Sequence, residues 1–356
     1  MSWPGPAGGN DLLERIDGPA TEYRASTAED FWEALSPQKY LFGPNSKPIF
    51  RGQRDAELPL EPSILRKENH PVYSSLFRSS AEASENRIFA EICALHTFAT
   101  YCDSAGLRIP GDGDELRKNL DPTKVMDRFI FHRQLWPSRE YFEIMALAQH
   151  YGLPTRLLDW SRRSSVAAYF AASGALRESE ACTHAAPRGG GEDRRFVVWA
   201  LNTENLYKLK NAEIIPVPGS NSANVAAQSG LFTLLRQEYS RGKPFTGAHC
   251  LNDYVASCGS QDLAKITLPV LEAPRIIDLC ERHSVTAATL YPDFYGAAKA
   301  TLDSLACWRR SEWTDGRDIR GTDSARIRQT VNLLQFQWYN SYTSCDSTSM
   351  SARASA

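Results

Sequence analysis

The spacing of apolar residues changes along this chain of 356 residues. Before about residue 150, apolar side chains recur at three- and four-residue steps, as at Ile88, Ile92 and Leu95, a spacing typical of amphipathic helices. After that point, short continuous apolar runs such as Phe196-Val197-Val198-Trp199 predict buried strands. Helices and strands that occupy separate parts of a chain are typical of the α+β class. We therefore expect an α+β fold whose sheet is formed mostly by the second half of the chain.

Local sequence signals predict the positions of individual helices and strands. Ser26-Thr27 followed by Ala28-Glu29-Asp30 predicts a capped helix start, and Pro48-Ile49-Phe50 predicts a strand that ends at Arg51. Residues 155–160 have the composition of a short strand, and the small side chains of 164–171 predict a tightly packed helix. Further helices are predicted over 81–100, 125–135, 140–150 and 294–305, and further strands near 214–217, 231–233 and 263–268.

One main domain accounts for most of the chain. We expect a disordered N-terminus over 1–20, a domain over 21–305, and a C-terminal tail over 306–356. The tail has an apolar helical pattern over 327–338 and then becomes rich in Ser and Thr, which predicts disorder at its end.

Charge and composition exclude several classes of protein. The net charge of −2 gives no general attraction to nucleic acid, so a nucleic-acid contact requires a local basic patch. The start of the chain lacks a secretory signal, and no run approaches the roughly 18 apolar residues of a membrane span, so we expect a cytoplasmic protein without membrane contact. The eight cysteines form no Cys-x-x-Cys pair and the histidines no metal-site spacing, so we expect no metal. The common nucleotide-triphosphatase, dinucleotide-fold and serine-hydrolase motifs are absent from the sequence.

Four segments, in order along the chain, resemble the FRG domain family. They are Phe50-Arg51-Gly52-Gln53, the block of residues 149–161 with the sequence QHYGLPTRLLDWS, Gln228-Ser229-Gly230-Leu231-Phe232-Thr233, and Thr289-Leu290-Tyr291-Pro292-Asp293. The resemblance spans roughly residues 30–300, and the central block is its most specific part. It implies an intracellular prokaryotic protein, often found in phage-linked contexts.

The order of these segments is also similar to that of the ADP-ribosyltransferases. This second resemblance implies a split antiparallel or mixed sheet with a large helical insertion and a C-terminal helical tail, and it implies NAD as the substrate. The roles it implies fall on Arg51, which would hold NAD, on residues 155–161 with Tyr169-Phe170, which would shape the nicotinamide pocket, and on Gln228, which would contact the ribose. The full set of NAD-contacting candidates is Arg51, Gly52, Gln53, Thr155, Arg156, Trp160, Ser161 and Tyr169, and the catalytic candidates are Arg51, Asp159 and Gln228.

A neutral glutamine stands where these transferases commonly use a glutamate. Cleavage of NAD leaves an oxocarbenium-like ribose, which a carboxylate stabilises better than an amide. Asp159 is the carboxylate candidate that compensates, with Arg156 beside it to keep it ionised. The alternative is that Asp159 and Arg156 only form a structural ion pair, and that Trp160 and Tyr169 are core residues.

Three functions follow as expectations. The first is an NAD-dependent ADP-ribosyltransferase, a bacterial toxin or antiphage effector with an antitoxin or immunity protein as partner. Protein-arginine-directed transferases usually carry a glutamate where Ala226 stands, so RNA or DNA is favoured over protein as the acceptor, with Arg156, Arg162 and Arg163 to steer phosphates. The second is a non-catalytic module that binds a nucleotide or nucleic acid, and the third is a metal-free nuclease that uses Asp159 and His150.

Overall fold

The computed structural model describes residues 13–18, 20–37, 41–44, 46–66, 83–130, 136–183, 194–217 and 223–314. These residues form helices and a mixed sheet, which confirms the α+β class. The strands are β1 (Leu13–Ile16), β2 (Thr21–Ala25), β3 (Pro48–Gln53), β4 (Leu157–Ser161), β5 (Arg195–Asn202), β6 (Ala212–Ile215), β7 (Gly230–Leu235) and β8 (Leu263–Pro269). The helices are α1 (Ala28–Ala34), α2 (Ser84–Ser104), α3 (Asp114–Leu120), α4 (Pro122–Ile130), α5 (Phe142–His150), α6 (Ser164–Thr183), α7 (Ala223–Ala227), α8 (Leu251–Ser257), α9 (Ala273–Arg282), α10 (Ala287–Leu290) and α11 (Phe294–Thr314).

The chain divides into two compact units, Met1–Cys307 and Trp308–Ala356. The sheet lies in the first unit. Of the second unit, the structure describes only residues 308–314, the end of α11.

The strands described in the structure form one sheet of eight in the order β1-β2-β8-β5-β3-β4-β7-β6. The pair β2–β8 is parallel, and the other neighbouring pairs are antiparallel. The sheet is therefore mixed, with its long central strands β5 and β8 inside a mainly antiparallel arrangement.

The sheet is split between β3 and β4. All six residues of β3 pair with β5, whereas β3 and β4 share the single register pair Phe50–Ser161. Beyond that pair the two strands diverge, so their facing edges lack the backbone partners that a continuous sheet would supply.

Two groups of helices cover one face of the sheet. One apolar cluster joins α1, α6 and α9 to β3, β5 and β8, and a second joins the helices between Ser84 and His150 to β4 and β7. The opposite face carries a third cluster, which includes Trp160, Trp199 and Leu251. The split between β3 and β4 lies at the border between the two groups of helices.

Several local predictions are confirmed. Thr27 caps α1 by accepting a hydrogen bond from the Asp30 amide at 3.2 Å, and β3, β4, β5 and α2 lie where the sequence patterns predict them. One prediction is wrong: residues Leu13–Ile16, assigned to a disordered N-terminus, form strand β1, which pairs with β2. The predicted helix at 327–338 and the Ser/Thr-rich end lie outside the described residues.

Candidate functional site

A pocket of about 290 Å³ lies at the split in the sheet. The diverging strands β3 and β4 form part of its wall, and α5, α6, β7 and the segment between α10 and α11 form the rest. It is lined by Phe50, Arg51, Gly52, Gln149, His150, Asp159, Trp160, Ser161, Ala167, Phe170, Val225, Gln228, Gly230, Leu231, Phe232 and Tyr291.

An arginine and an aspartate bridge the split. Nη1 of Arg51 donates to the backbone oxygen of Asp159 at 2.8 Å and to its Oδ1 at 2.5 Å. The first bond satisfies a carbonyl that β3 would satisfy in a continuous sheet. The Arg51 side chain is 11% exposed, whereas that of Asp159 is 61% exposed and faces the pocket. Nε of Arg51 is buried without a hydrogen-bond partner, which is unusual for a guanidinium.

The carboxyl group of Asp159 is held in its charged form. Desolvation raises its pKa, but the charge of Arg51 and the hydrogen bond from it outweigh that effect, so the pKa lies below its usual value. A second donor, Nε2 of Gln149, bonds the same Oδ1 at 3.2 Å. Thr155 fixes Gln149 in turn, because its Oγ1 donates to Oε1 of Gln149 at 2.5 Å. The result is an ionised carboxylate, oriented by two side chains and open on the pocket side.

Gly52 is required by the helix that covers β3. A Cβ at this position would lie 1.9 Å from the backbone oxygen of Ala167 and 2.7 Å from the amide nitrogen of Ala171, both in α6. The sequence analysis expected this glycine to admit a ligand. The structure shows that the close neighbour is helix α6, while Gly52 also contributes to the pocket wall.

Gln228 and Ser161 meet on the other side of the pocket. Oγ of Ser161 donates to the backbone oxygen of Gln228 at 2.7 Å and accepts from the amide of Arg163 at 2.9 Å. Nε2 of Gln228 donates to the backbone oxygen of Leu290 at 3.2 Å, whereas its Oε1 accepts no hydrogen bond from the described residues. Ser161 therefore joins β4, the segment before β7 and the start of α6.

Aromatic rings close the pocket above the carboxylate. Tyr291 packs against His150 and Phe170 with ring centroids 5.9 Å and 6.3 Å apart. Burial raises the pKa of Tyr291 to about 12, so its hydroxyl stays protonated at neutral pH. Burial also lowers the pKa of His150, against the opposing effect of Asp293 and Asp159, which favours the neutral imidazole. Nε2 of His150 contacts Nδ2 of Asn224.

Arg156 lies outside the pocket. Its side chain is 3% exposed, and its Nη2 pairs with Oε1 of Glu91 at 2.6 Å. The guanidinium also lies over the ring of Phe245, and Trp136 donates to the same carboxylate at 2.8 Å. The expected partnership with Asp159 is thus replaced by a buried ion pair with α2.

Four further candidates also have their side chains in other contacts. Gln53 bonds Nε1 of Trp199 at 2.6 Å and the backbone oxygen of Pro59 at 3.1 Å. The indole of Trp160 donates to Oγ1 of Thr233 at 2.9 Å and packs in the cluster on the opposite face of the sheet. Tyr169 is buried and donates to Asp303. Thr155 is buried too and reaches the pocket only through Gln149.

The sequence reasoning did not assign roles to Gln149 or Tyr291. Both stand inside the segments that carry the FRG resemblance, so the signal was present. The sequence could not predict that they lie close to Asp159 and His150, because that proximity depends on how α5 and the chain after α10 meet at the split.

The described residues contain no group of three or more His, Cys, Asp or Glu side chains arranged to hold a metal ion. None of the helices in the described part of the chain has the length and apolar character needed to cross a membrane.

The fold and the pocket together define an α+β protein with a small polar site in a split mixed sheet. Residues 108–180 match the family model of the FRG domain, which confirms the FRG resemblance. The match covers about a fifth of the chain and includes α5, β4, Asp159 and most of α6, but neither Arg51 nor Gln228. No curated protein and no solved structure matches the chain.

Proposed function

We propose that the pocket binds the nicotinamide-ribose part of NAD and that the protein transfers ADP-ribose to a macromolecule. RNA or DNA is the preferred acceptor, and the biological role is that of a bacterial toxin or antiphage effector in the cytoplasm. The observation that carries this proposal is the carboxylate of Asp159. It is paired with a nearly buried arginine that lowers its pKa, yet it is exposed to a pocket with aromatic walls.

The chemistry of glycosyl transfer calls for such a group. The bond between the ribose C1′ and the nicotinamide nitrogen breaks, and its electron pair neutralises the positive pyridinium. Positive charge develops on the ribose, which an adjacent fixed carboxylate stabilises. An acceptor hydroxyl or amine then bonds to C1′ and loses its proton. Asp159 supplies the negative charge, and the neutral His150 of the same pocket is the residue placed to take the proton.

The size and walls of the pocket fit one half of a dinucleotide. Its volume lies at the lower end of the roughly 300–1,000 Å³ of small-molecule sites, so it suits a nucleoside rather than the whole of NAD. Phe50, Phe170 and Tyr291 offer ring surfaces for a flat heterocycle. Oε1 of Gln228 is the acceptor available for a ribose hydroxyl, while its Nε2 stays on Leu290.

Labelled NAD tests the proposal. The purified protein is incubated with NAD and with cellular RNA, DNA or protein, and both nicotinamide release and label transfer are measured. We expect activity in the wild type and a loss of about 100-fold or more in Asp159→Asn, since such electrostatic groups contribute roughly 10²–10³ in rate. Asp103→Asn is the matched control, because Asp103 is also paired with an arginine and half exposed, but is not among the residues lining the pocket. A folded wild type that neither releases nicotinamide nor transfers label would refute the proposal.

A metal-free nuclease is the second candidate. It is favoured by one observation, namely that the neutral His150 and the ionised Asp159 line the same pocket. This function predicts cleavage of RNA or DNA that continues after all NAD is removed. A transferase loses its activity under that condition, so the same preparation distinguishes the two.

A further inference from the structure

A second, larger cavity adjoins the candidate site. It has a volume of about 770 Å³ and lies between α1 and the start of α6. Phe50 lines both cavities, and Phe50 is also the residue that pairs with Ser161 at the single bridge of the split. The two cavities are therefore neighbours, with Phe50 in the wall of each.

One wall of the larger cavity suits phosphate groups. Arg162 and Arg163 line it with exposed side chains, followed by Ser164 and Ser165 in the first turn of α6. The backbone amides of these two serines donate no hydrogen bond to any described residue. The first amides of a 20-residue helix and two adjacent guanidinium groups form a binding environment for a doubly charged pyrophosphate.

The arginine that the sequence analysis assigned to NAD is already engaged. Nη1 of Arg51 already donates to the backbone oxygen and to Oδ1 of Asp159. A pyrophosphate that competed for Arg51 would lie beside the carboxylate and be repelled by it. Arg162 and Arg163 offer positive charge without that conflict.

Another part of the cavity lining, formed by α1 and the end of α9, suits a base and a sugar. Trp32 and His283 lie there with ring centroids 5.1 Å apart and an interplanar angle of 38°, and Leu279 adds apolar surface. Glu29 and Glu33 of α1 line the same side. Carboxylates accept hydrogen bonds from ribose hydroxyls in dinucleotide sites and repel phosphates. They therefore favour a ligand orientation with the ribose near α1 and the phosphates near Arg162 and Arg163.

We propose that this cavity binds the adenosine diphosphate half of the dinucleotide. The adenine lies on Trp32 and His283, and the pyrophosphate lies at Arg162, Arg163 and the start of α6. The nicotinamide ribose then continues past Phe50 towards Asp159. The inference rests on the proposed function for its substrate, but it concerns a separate cavity and is tested without catalysis.

Calorimetric titration with ADP measures this cavity directly. We expect the wild type to bind ADP with a dissociation constant that rises with ionic strength, because charge pairs at the surface are screened by salt. Arg162→Ala combined with Arg163→Ala should weaken binding by about tenfold or more, as expected when charge-assisted hydrogen bonds are lost. Trp32→Leu should weaken it through loss of ring stacking.

Two controls separate this inference from the proposed function. Arg108→Ala combined with Lys118→Ala removes the same charge from exposed positions that do not line the cavity, and should leave ADP binding unchanged. Asp159→Asn should also bind ADP as the wild type does, even though it loses NAD turnover. Absence of ADP binding by the wild type, or equal weakening in both double variants, overturns the inference. ADP binding without NAD turnover supports the cavity and refutes the transferase instead.

Discussion

At the scale of single residues, Arg51 lowers the pKa of Asp159 and orients its carboxylate. The carboxylate is 61% exposed, so water screens the ion pair, and the pair contributes at most about 1 kcal/mol to stability. Its main effect is on protonation and orientation. A group that costs little to keep ionised and stays open to a pocket is suited to bind a positively charged or electron-poor centre.

The first prediction follows from this protonation. Because the pKa of Asp159 is lowered in the folded state, the charged pair stabilises the protein above the unfolded-state pKa, and this contribution is lost as the pH falls through the folded-state pKa. Asp159→Asn should therefore lower the free energy of unfolding slightly at pH 7 and not at strongly acidic pH. Urea unfolding of both proteins across this range measures the difference, and a difference that does not change with pH would contradict the assignment.

The sequence identified Asp159 but paired it with the wrong arginine. Arg156 lies in a bend just before β4, where its guanidinium is buried against Glu91 of α2, whereas Asp159 lies in the middle of the strand. Closeness in sequence therefore did not make them partners. The real partner, Arg51, is 108 residues away in a strand that touches β4 at one position, which no local pattern shows.

At the scale of elements, the close packing of β3 on α6 shapes the site. Gly52 allows the helix backbone to approach the strand, and the small residues Ala167 and Ala171 allow the helix to come that close. This packing brings the start of α6, with Arg162 and Arg163, next to the split.

The second prediction concerns this packing. Gly52→Ala places a methyl group 1.9 Å from a backbone oxygen, so β3 or α6 must shift. We expect a loss of roughly 1–3 kcal/mol or more in unfolding free energy, together with loss of ligand binding. Gly113→Ala is the control, since a Cβ there meets nothing within 4 Å and its φ of −177° is extended backbone. Equal melting temperatures for the two variants would show that α6 can move away from β3 without loss of stability.

The third prediction concerns the link between α2 and β4. Arg156 and Glu91 are both almost fully buried, so removal of one partner leaves an uncompensated charge. Arg156→Ala should cost about 3–5 kcal/mol, whereas Arg117→Ala, from an exposed ion pair, should cost about 1 kcal/mol or less. Chemical denaturation measures both. Similar small losses would mean that the buried pair is readily hydrated.

Long elements with strong patterns were predicted well, and short or interrupted ones were not. Helix α2 and strands β3 and β5 have regular apolar spacing or continuous apolar runs. Strand β1 has four residues and depends on pairing with β2. Helix α9 starts with Pro274 in its first turn, where proline is permitted although it discourages a helix prediction. These elements are stabilised by contacts that are distant in sequence.

At the scale of the whole molecule, the pocket is a result of how the two helical groups share one face of the sheet. The sheet order could not be predicted, because all the helices between Ser84 and His150 separate β3 and β4 in the chain. The single bridge between them makes the split a boundary within the sheet. Helix α11 contributes to the same region through Lys299, which lies behind the pocket wall formed by Tyr291.

The last prediction uses Lys299 to test how α11 is held. Lys299 is 7% exposed, and its Nζ lies 5.3 Å from the ring centroid of Tyr169 and 5.5 Å from that of Tyr291. Desolvation and the nearby Arg177 lower its pKa to about 8, against the opposing charge of Asp303. Between that pKa and the ordinary lysine pKa of 10.5, the unfolded chain binds more protons than the folded one, so stability rises with pH. The gain attributable to Lys299 is up to about 3 kcal/mol. Lys299→Met should therefore raise the free energy of unfolding relative to the wild type most strongly at pH 7, and the difference should disappear by about pH 10. The control Lys118→Met, at an exposed site, should keep the wild-type pH dependence. Denaturation curves at several pH values decide this, and parallel curves for all three proteins would mean that Lys299 is hydrated in the folded state.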